Sequence, residues 1–159
     1  MDRYRDVMRA IELGSATGIH TWTGLAAVSW AAAAGEMPLD ASPLFILSDP
    51  DVTSVLLLLA AGEIVADKLP FLPNRTDALP LLARMGCGAL AGAAAFVADG
   101  ESGSAGVAAG ALAAAVSAAV TFRLRSFLTH SVGLPNPLAG LVDDSLALLL
   151  ARRALASGG

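Results

Sequence analysis

The chain is poor in the residues that carry most enzyme and nucleic-acid chemistry. It has one cysteine, one tyrosine and two histidines in 159 residues, and only 15% of its positions are charged. The single cysteine, Cys87, lies in an apolar run, which excludes an intrachain disulfide and argues against a cysteine-based zinc site. It reads as a small packing residue. No contiguous basic segment occurs, and the formal net charge is −4, so no nucleic-acid partner is expected; phosphate binding needs a basic face that replaces counterions. A Gly-rich phosphate loop, His-Glu-x-x-His, paired cysteines and Gly-x-Ser-x-Gly are all missing. The chain is therefore not read as an enzyme, no cofactor is expected and no metal is assigned.

What is present is apolar. Hydrophobic residues make up 55% of the chain and the mean hydropathy is +0.66, outside the balance of an ordinary soluble domain. The composition predicts a single all-α domain over 1–159, a polytopic membrane helix bundle with lipid as its main surroundings. A crossing of the ~30 Å hydrocarbon layer takes about 20 helical residues. Five segments approach that length: about 7–34, 50–68, 77–98, 104–130 and 137–156. Start signals stand at Ser48-Asp49-Pro50, Thr76-Asp77 and Asn136-Pro137, and Gly35, Gly100 and Gly133 supply stops. The N-terminal segment resembles a signal peptide in its positive flank, but Glu12 and His20 interrupt it and it is too long for a signal core, so cleavage is not expected.

With five crossings and the N-terminus inside, Arg3, Arg5, Arg9, Lys68, Arg75, Arg84, Arg123 and Arg125 fall on the inner side and Arg152 and Arg153 on the outer. That distribution predicts a cytoplasmic N-terminus. Glycine pairs four apart, Gly14 with Gly18, Gly88 with Gly92 and Gly106 with Gly110, predict close helix packing, with a homodimer seam as the second use. Leu72-Pro-Asn74 and Leu134-Pro-Asn136 suggest an internal helix-hairpin repeat, parallel or inverted. The Leu56 to Leu59 block reads as lipid-facing.

Taken together, Gly18-Ile-His-Thr-Trp22, Glu63-Ile-Val-Ala-Asp-Lys-Leu-Pro70, the Gly86 to Gly92 stretch, Arg125 to His130 and Asn136 to Asp144 resemble a family of small bacterial membrane proteins, Domain of Unknown Function 4126. The resemblance spans nearly the whole chain. It implies a polytopic protein of the bacterial cytoplasmic membrane, a basic residue at the position of His20 and an acidic pair near Asp143. It implies no established activity.

The chemistry must then come from charges inside apolar helices. Glu63 and Asp67 are four apart and share a helix face, as do Asp77 and Arg84 at seven. Asp143 and Asp144 come early in the last helix, and His20 falls near the middle of the first predicted span. An isolated charge at the bilayer centre costs about 2.5 to 3.5 kcal/mol on the most lenient scale, so these groups must pair or face water. His20, Glu63, Asp67, Arg84, Arg125, Asp143 and Asp144 are the expected pathway residues of a transporter or channel-like protein for an ion, the proton included, or a small polar solute, in a charged cavity facing the cytoplasm. Lys68, Arg75 and Arg123 read as interfacial anchors. The alternative is a non-transporting scaffold or lipid-associated assembly factor, in which the charges only tie helices together.

Overall fold

The computed structural model describes residues 2–68 and 77–157, and within them the chain is helical with no strand. Six α-helices run in the order α1 (Asp2–Ile19), α2 (Thr23–Ala33), α3 (Pro50–Ala66), α4 (Ala78–Ala98), α5 (Ser104–His130) and α6 (Asn136–Ala156), with a 3-10 turn at Phe45–Ser48 before α3. Two of them, Ala78–Ala98 and Ser104–His130, are long and apolar enough to cross a membrane. The others fall short for visible reasons. α3 has only 17 residues, and α6 carries Asp143, Asp144, Arg152 and Arg153.

The expected single helix over 7–34 is the main correction. The chain stops being helical at His20–Trp22, and α2 turns back along α1. The return brings the two helices into backbone contact: a Cβ on Gly24 would meet the Leu13 carbonyl and the Thr17 side chain, so only glycine lets α2 lie so close. Gly18, two β-branched threonines and Gly24 all weaken helix continuation here. The result is a helical hairpin, and its tip stands level with the middle of α5. Gly14 of α1 lies against Gly110, and Gly18 against Ala114 and Ser117, so α1 ends beside the midpoint of the 27-residue α5. The tip therefore enters the bundle from one end and goes no further.

This changes where the charges sit. Arg9 Nη1 donates to Asp99 Oδ2 at 3.0 Å, and Arg153 Nε to Glu12 Oε1 at 2.9 Å. The N-terminal end of α1, the α4–α5 connection and the C-terminal end of α6 thus share one end of the bundle. Arg3, Arg5 and Arg9 join Arg152 and Arg153 there, away from Lys68, Arg123 and Arg125. Cations therefore stand toward both ends of the bundle.

Capping follows the sequence at some ends and departs from it at others. Asp49 caps α3, accepting from the backbone N–H of Asp51 at 2.8 Å and Val52 at 3.4 Å, with Pro50 at the first turn. Asp77 occupies the N-cap position of α4. At α6 the cap position belongs to Pro135, and the Asn136 side chain instead serves Arg125, as described below. Gly35, Gly100 and Gly133 take positive φ of 77°, 78° and 74° at the ends of α2, α4 and α5, a conformation other residues adopt at a steric cost. Leu72-Pro-Asn74 and Arg75 lie outside the described residues, so only the second half of the suggested repeat is seen, joining α5 to α6.

The glycine pairs meet one another inside a single chain. A Cβ on Gly14 would collide with Gly110, one on Gly92 with Gly106, and one on Gly88 with Gly110 and the Ala114 methyl. α1, α4 and α5 therefore pack backbone to backbone in a three-helix seam, as small residues allow. The predicted close packing is internal, and these glycines are not available as a homodimer seam. Outside this seam the polarity runs opposite to that of a water-soluble fold. Leu58, Leu79, Leu82, Leu112, Val116 and Leu149 are exposed, while Asp6, Arg9, Glu12, His20, Arg84, Asp143 and Asp144 are buried. Of the leucine block, Leu56 is buried and Leu57, Leu58 and Leu59 face outward.

Candidate functional site

A break in a buried helix leaves carbonyls at the end of one segment and N–H groups at the start of the next without intrahelical partners. In an apolar bundle each must be met by another side chain. At His20–Trp22 both sets are met by ions. Arg84, from α4, donates through Nη1 to the carbonyls of Gly18 at 2.9 Å and Ile19 at 2.6 Å, closing the C-terminal end of α1. Glu63, from α3, accepts from the Thr21 N–H at 2.9 Å, the Thr21 hydroxyl at 2.9 Å and the Trp22 N–H at 3.2 Å, closing the N-terminal end of α2. The signs are those the helix dipoles favour, a cation at a C-terminus and an anion at an N-terminus. Arg84 Nη2 also meets Glu63 Oε1 at 3.1 Å, so the two caps neutralise each other across the break.

Beside this pair stands a second one. His20, fully buried at the tip, places Nε2 2.9 Å from Asp144 Oδ1. The other carboxylate oxygen of Asp144 accepts from Lys68 Nζ at 2.6 Å, and Lys68 also donates to the Ile64 carbonyl at 2.8 Å. Asp144 thus links the hairpin tip to the C-terminal end of α3.

Arg125 completes the cluster from α5. It donates through Nη1 to Asp67 Oδ2 at 2.9 Å and Asp143 Oδ2 at 3.3 Å, through Nη2 to the Asp67 carbonyl at 3.1 Å, and through Nε to Asn136 Oδ1 at 3.0 Å. One planar fork so holds α3 and α6 against α5, a task suited to guanidinium rather than ammonium. Gly140 packs beside it: a Cβ there would stand 3.4 Å from Arg125 Nη2 and 3.7 Å from Lys68 Cγ, an ordinary contact.

All seven residues singled out in the sequence, His20, Glu63, Asp67, Arg84, Arg125, Asp143 and Asp144, are brought together by four helices and the hairpin tip. Three participants were not foreseen. Lys68, read as an interfacial anchor, is a partner of Asp144; its spacing of one residue from Asp67 gave no hint of which helix it would face. Thr21 and Asn136 contribute ordinary polar atoms, and only the helix break and the α6 entry make them useful. Asp77 is exposed at the start of α4, and Arg84, about two turns further along, is buried. Arg123 is exposed, as an anchor would be, and His130 is exposed with its ring against Thr129 and Ser126. Among the described residues, no three of His, Cys, Asp and Glu are grouped so as to hold a metal ion.

A second polar cluster lies at the opposite end, where Asp6, Arg9 and Glu12 are buried beside Asp99 and Arg153. It reads as a clamp holding the start of α1 to the ends of α4 and α6.

Comparison with known proteins returns one family. A family model described as Domain of unknown function (DUF4126) matches residues 7–157. No curated protein and no solved structure matches the chain.

Proposed function

The chain belongs to the family Domain of unknown function (DUF4126), and from its geometry we propose that it is a small integral membrane transporter or channel-like protein for an ion or small polar solute. One observation carries the reading: a helix hairpin enters the bundle from one end and stops at mid-depth, where its broken helix ends meet a cluster of buried charges from four other helices. Discontinuous helices whose ends point at a midplane site are the recurring device of membrane transporters, and irregular backbone at that depth is tolerated only inside protein or beside a cavity. An outward apolar surface with buried ions supports placement in a membrane, for which the bacterial cytoplasmic membrane is the proposed location. There α4 and α5 would be the regular crossing helices, α3 and α6 shorter or charge-bearing crossings whose ions are paired inside the bundle, and α1–α2 a re-entrant hairpin, with the two chain ends on one side.

The hairpin also has room beside it. A groove of about 470 Å³ lies between α2, α3 and α6, lined by residues including Ala27, Leu57, Ile64 and Leu148. Another of about 550 Å³ lies between α1, α5 and α6, lined by residues including Ile11, Leu112 and Leu146. Rocking of the hairpin within these grooves would expose the charged tip to the end bearing Lys68 and Asp67, the physical content of gating between two states.

The test is flux in liposomes carrying the purified protein, with a panel of ions and small polar solutes at several pH values, for wild type and Glu63→Gln with Asp143→Asn. Uptake by wild type that the double variant lacks is expected; no flux of any solute by correctly folded wild type would sink the reading. The alternative is a scaffold in which the charges only join helices. For that reading, every charge variant that still folds, Glu63→Gln with Asp143→Asn included, should keep full cellular function.

A further inference from the structure

The tip cluster holds one group whose ordinary protonation range lies near neutrality, and its surroundings give that protonation a mechanical consequence. We propose that His20, joined to Lys68 through Asp144, is a proton-binding site, and that the proton is the ion this protein carries or couples to; the second half of this statement rests on the transport reading above. Imidazole changes charge between about pH 5 and pH 8 unless its surroundings forbid it. Among the described residues, the charged groups of the cluster around the tip are Glu63 from α3, Asp67 and Lys68 just past its C-terminal end, Arg84 from α4, Arg125 from α5, and Asp143 and Asp144 from α6. Glu63 is held by Thr21, Trp22 and Arg84, and Asp67 and Asp143 by Arg125. Asp144 is the carboxylate that meets His20 directly.

Nε2 and Oδ1 stand 2.9 Å apart, a contact that needs one hydrogen between them. In neutral His20 that hydrogen occupies Nε2, so the exchanged proton adds to the Nδ1 lone pair. The ring becomes imidazolium with no other bond made or broken, and the reverse step returns the same proton. Asp144 then faces two cations, His20 and Lys68, with a single negative charge. The side chain of His20 is 0% exposed and that of Lys68 is 28% exposed, so Lys68 is the partner that can move to solvent. Protonation thereby weakens the bond tying the end of α3 to α6, and loss of the proton restores it. A cation bound at the tip is in this way linked to opening at the end of the bundle that bears Lys68.

The chain has only His20 and His130, so solution or solid-state NMR of 15N-histidine-labelled protein reads the site directly, with exposed His130 as internal reference and His130→Gln for assignment. In wild type, His20 is expected to pass from neutral to imidazolium between about pH 5 and pH 8. Asp144→Asn should make the transition require at least about tenfold more protons, and Lys68→Met about tenfold fewer. A merely structural histidine would hold one neutral tautomer throughout that range in wild type and in Lys68→Met alike, and this result overturns the proposal even if solute flux is found. A His20 that titrates in a protein passing neither protons nor any solute leaves the proton site standing and overturns the coupling. Proton flux in liposomes that is lost in His20→Gln supports both.

Discussion

Glu63 and Arg84 lie 3.1 Å apart across the break in the first hydrophobic segment, and each covers the helix end whose partial charge opposes its own. The pair so does two things that neither residue could do alone. It permits a buried helix to stop in the middle of an apolar bundle, and it leaves no net charge behind.

Removing one member should therefore cost more than an ordinary surface ion pair. Arg84→Met strands two carbonyls and the Glu63 carboxylate, and is expected to destabilise by about 3 to 5 kcal/mol. Glu63→Gln keeps an acceptor oxygen for Thr21 and Trp22 and should cost less, about 1 to 3 kcal/mol. Reversible unfolding in mixed micelles checks the order; a stability of Arg84→Met equal to wild type would remove the capping role.

The glycine seam predicts a sharp contrast between two positions in helix interiors. Gly110 faces the Gly88 carbonyl and the Gly92 Cα, whereas Gly62 has open space where a Cβ would go. Gly110→Val should destabilise by about 1 to 3 kcal/mol or more through forced separation of α4 and α5. Gly62→Ala should be neutral or stabilising by about 0.5 to 1 kcal/mol, since it only improves helix propensity. The same unfolding experiment measures both.

The hairpin makes a topological prediction that a single long first helix does not. In a Cys87→Ala background, single cysteines at Arg3, Glu101 and Ser157 should all be labelled by an impermeant thiol reagent from one side of the membrane, and one at His130 from the other. Labelling of positions 3 and 101 from opposite sides would mean that the segment 7–34 crosses after all.

Arg125 should be irreplaceable by lysine. Arg125→Lys retains the charge but cannot reach Asp67, Asp143 and Asn136 together. On the proposed transport function, flux is expected to fall at least about tenfold, with a stability loss of about 1 to 3 kcal/mol. Retention of full activity would place Arg125 outside the site.

Much of the helical layout was legible because its signals are local. Asp49 with Pro50 starts α3 where the cap pattern says it should, and the three positive-φ glycines end their helices. Buried charge was legible too, since Glu63, Arg84, Asp143 and Asp144 have no inexpensive place on a lone apolar helix. The segment 7–34 misled because its apolar length suffices for a crossing. What breaks it is a weak local preference at Gly18 to Gly24, made decisive by caps from residues 42 and 65 positions away along the chain.

The sequence by itself determined that this chain is helical and unusually apolar, and that seven ionisable residues must pair or face water, because composition and spacing act within a few residues of one another. Tertiary structure alone decided who pairs with whom. Lys68 turned to Asp144 and Asn136 to Arg125 because α3, α5 and α6 converge on one hairpin tip, and that convergence depends on backbone contact along the glycine seam of α1, α4 and α5. No local pattern specifies an interhelical distance, so the site existed in the sequence as a set of charges and became a site only when the helices met.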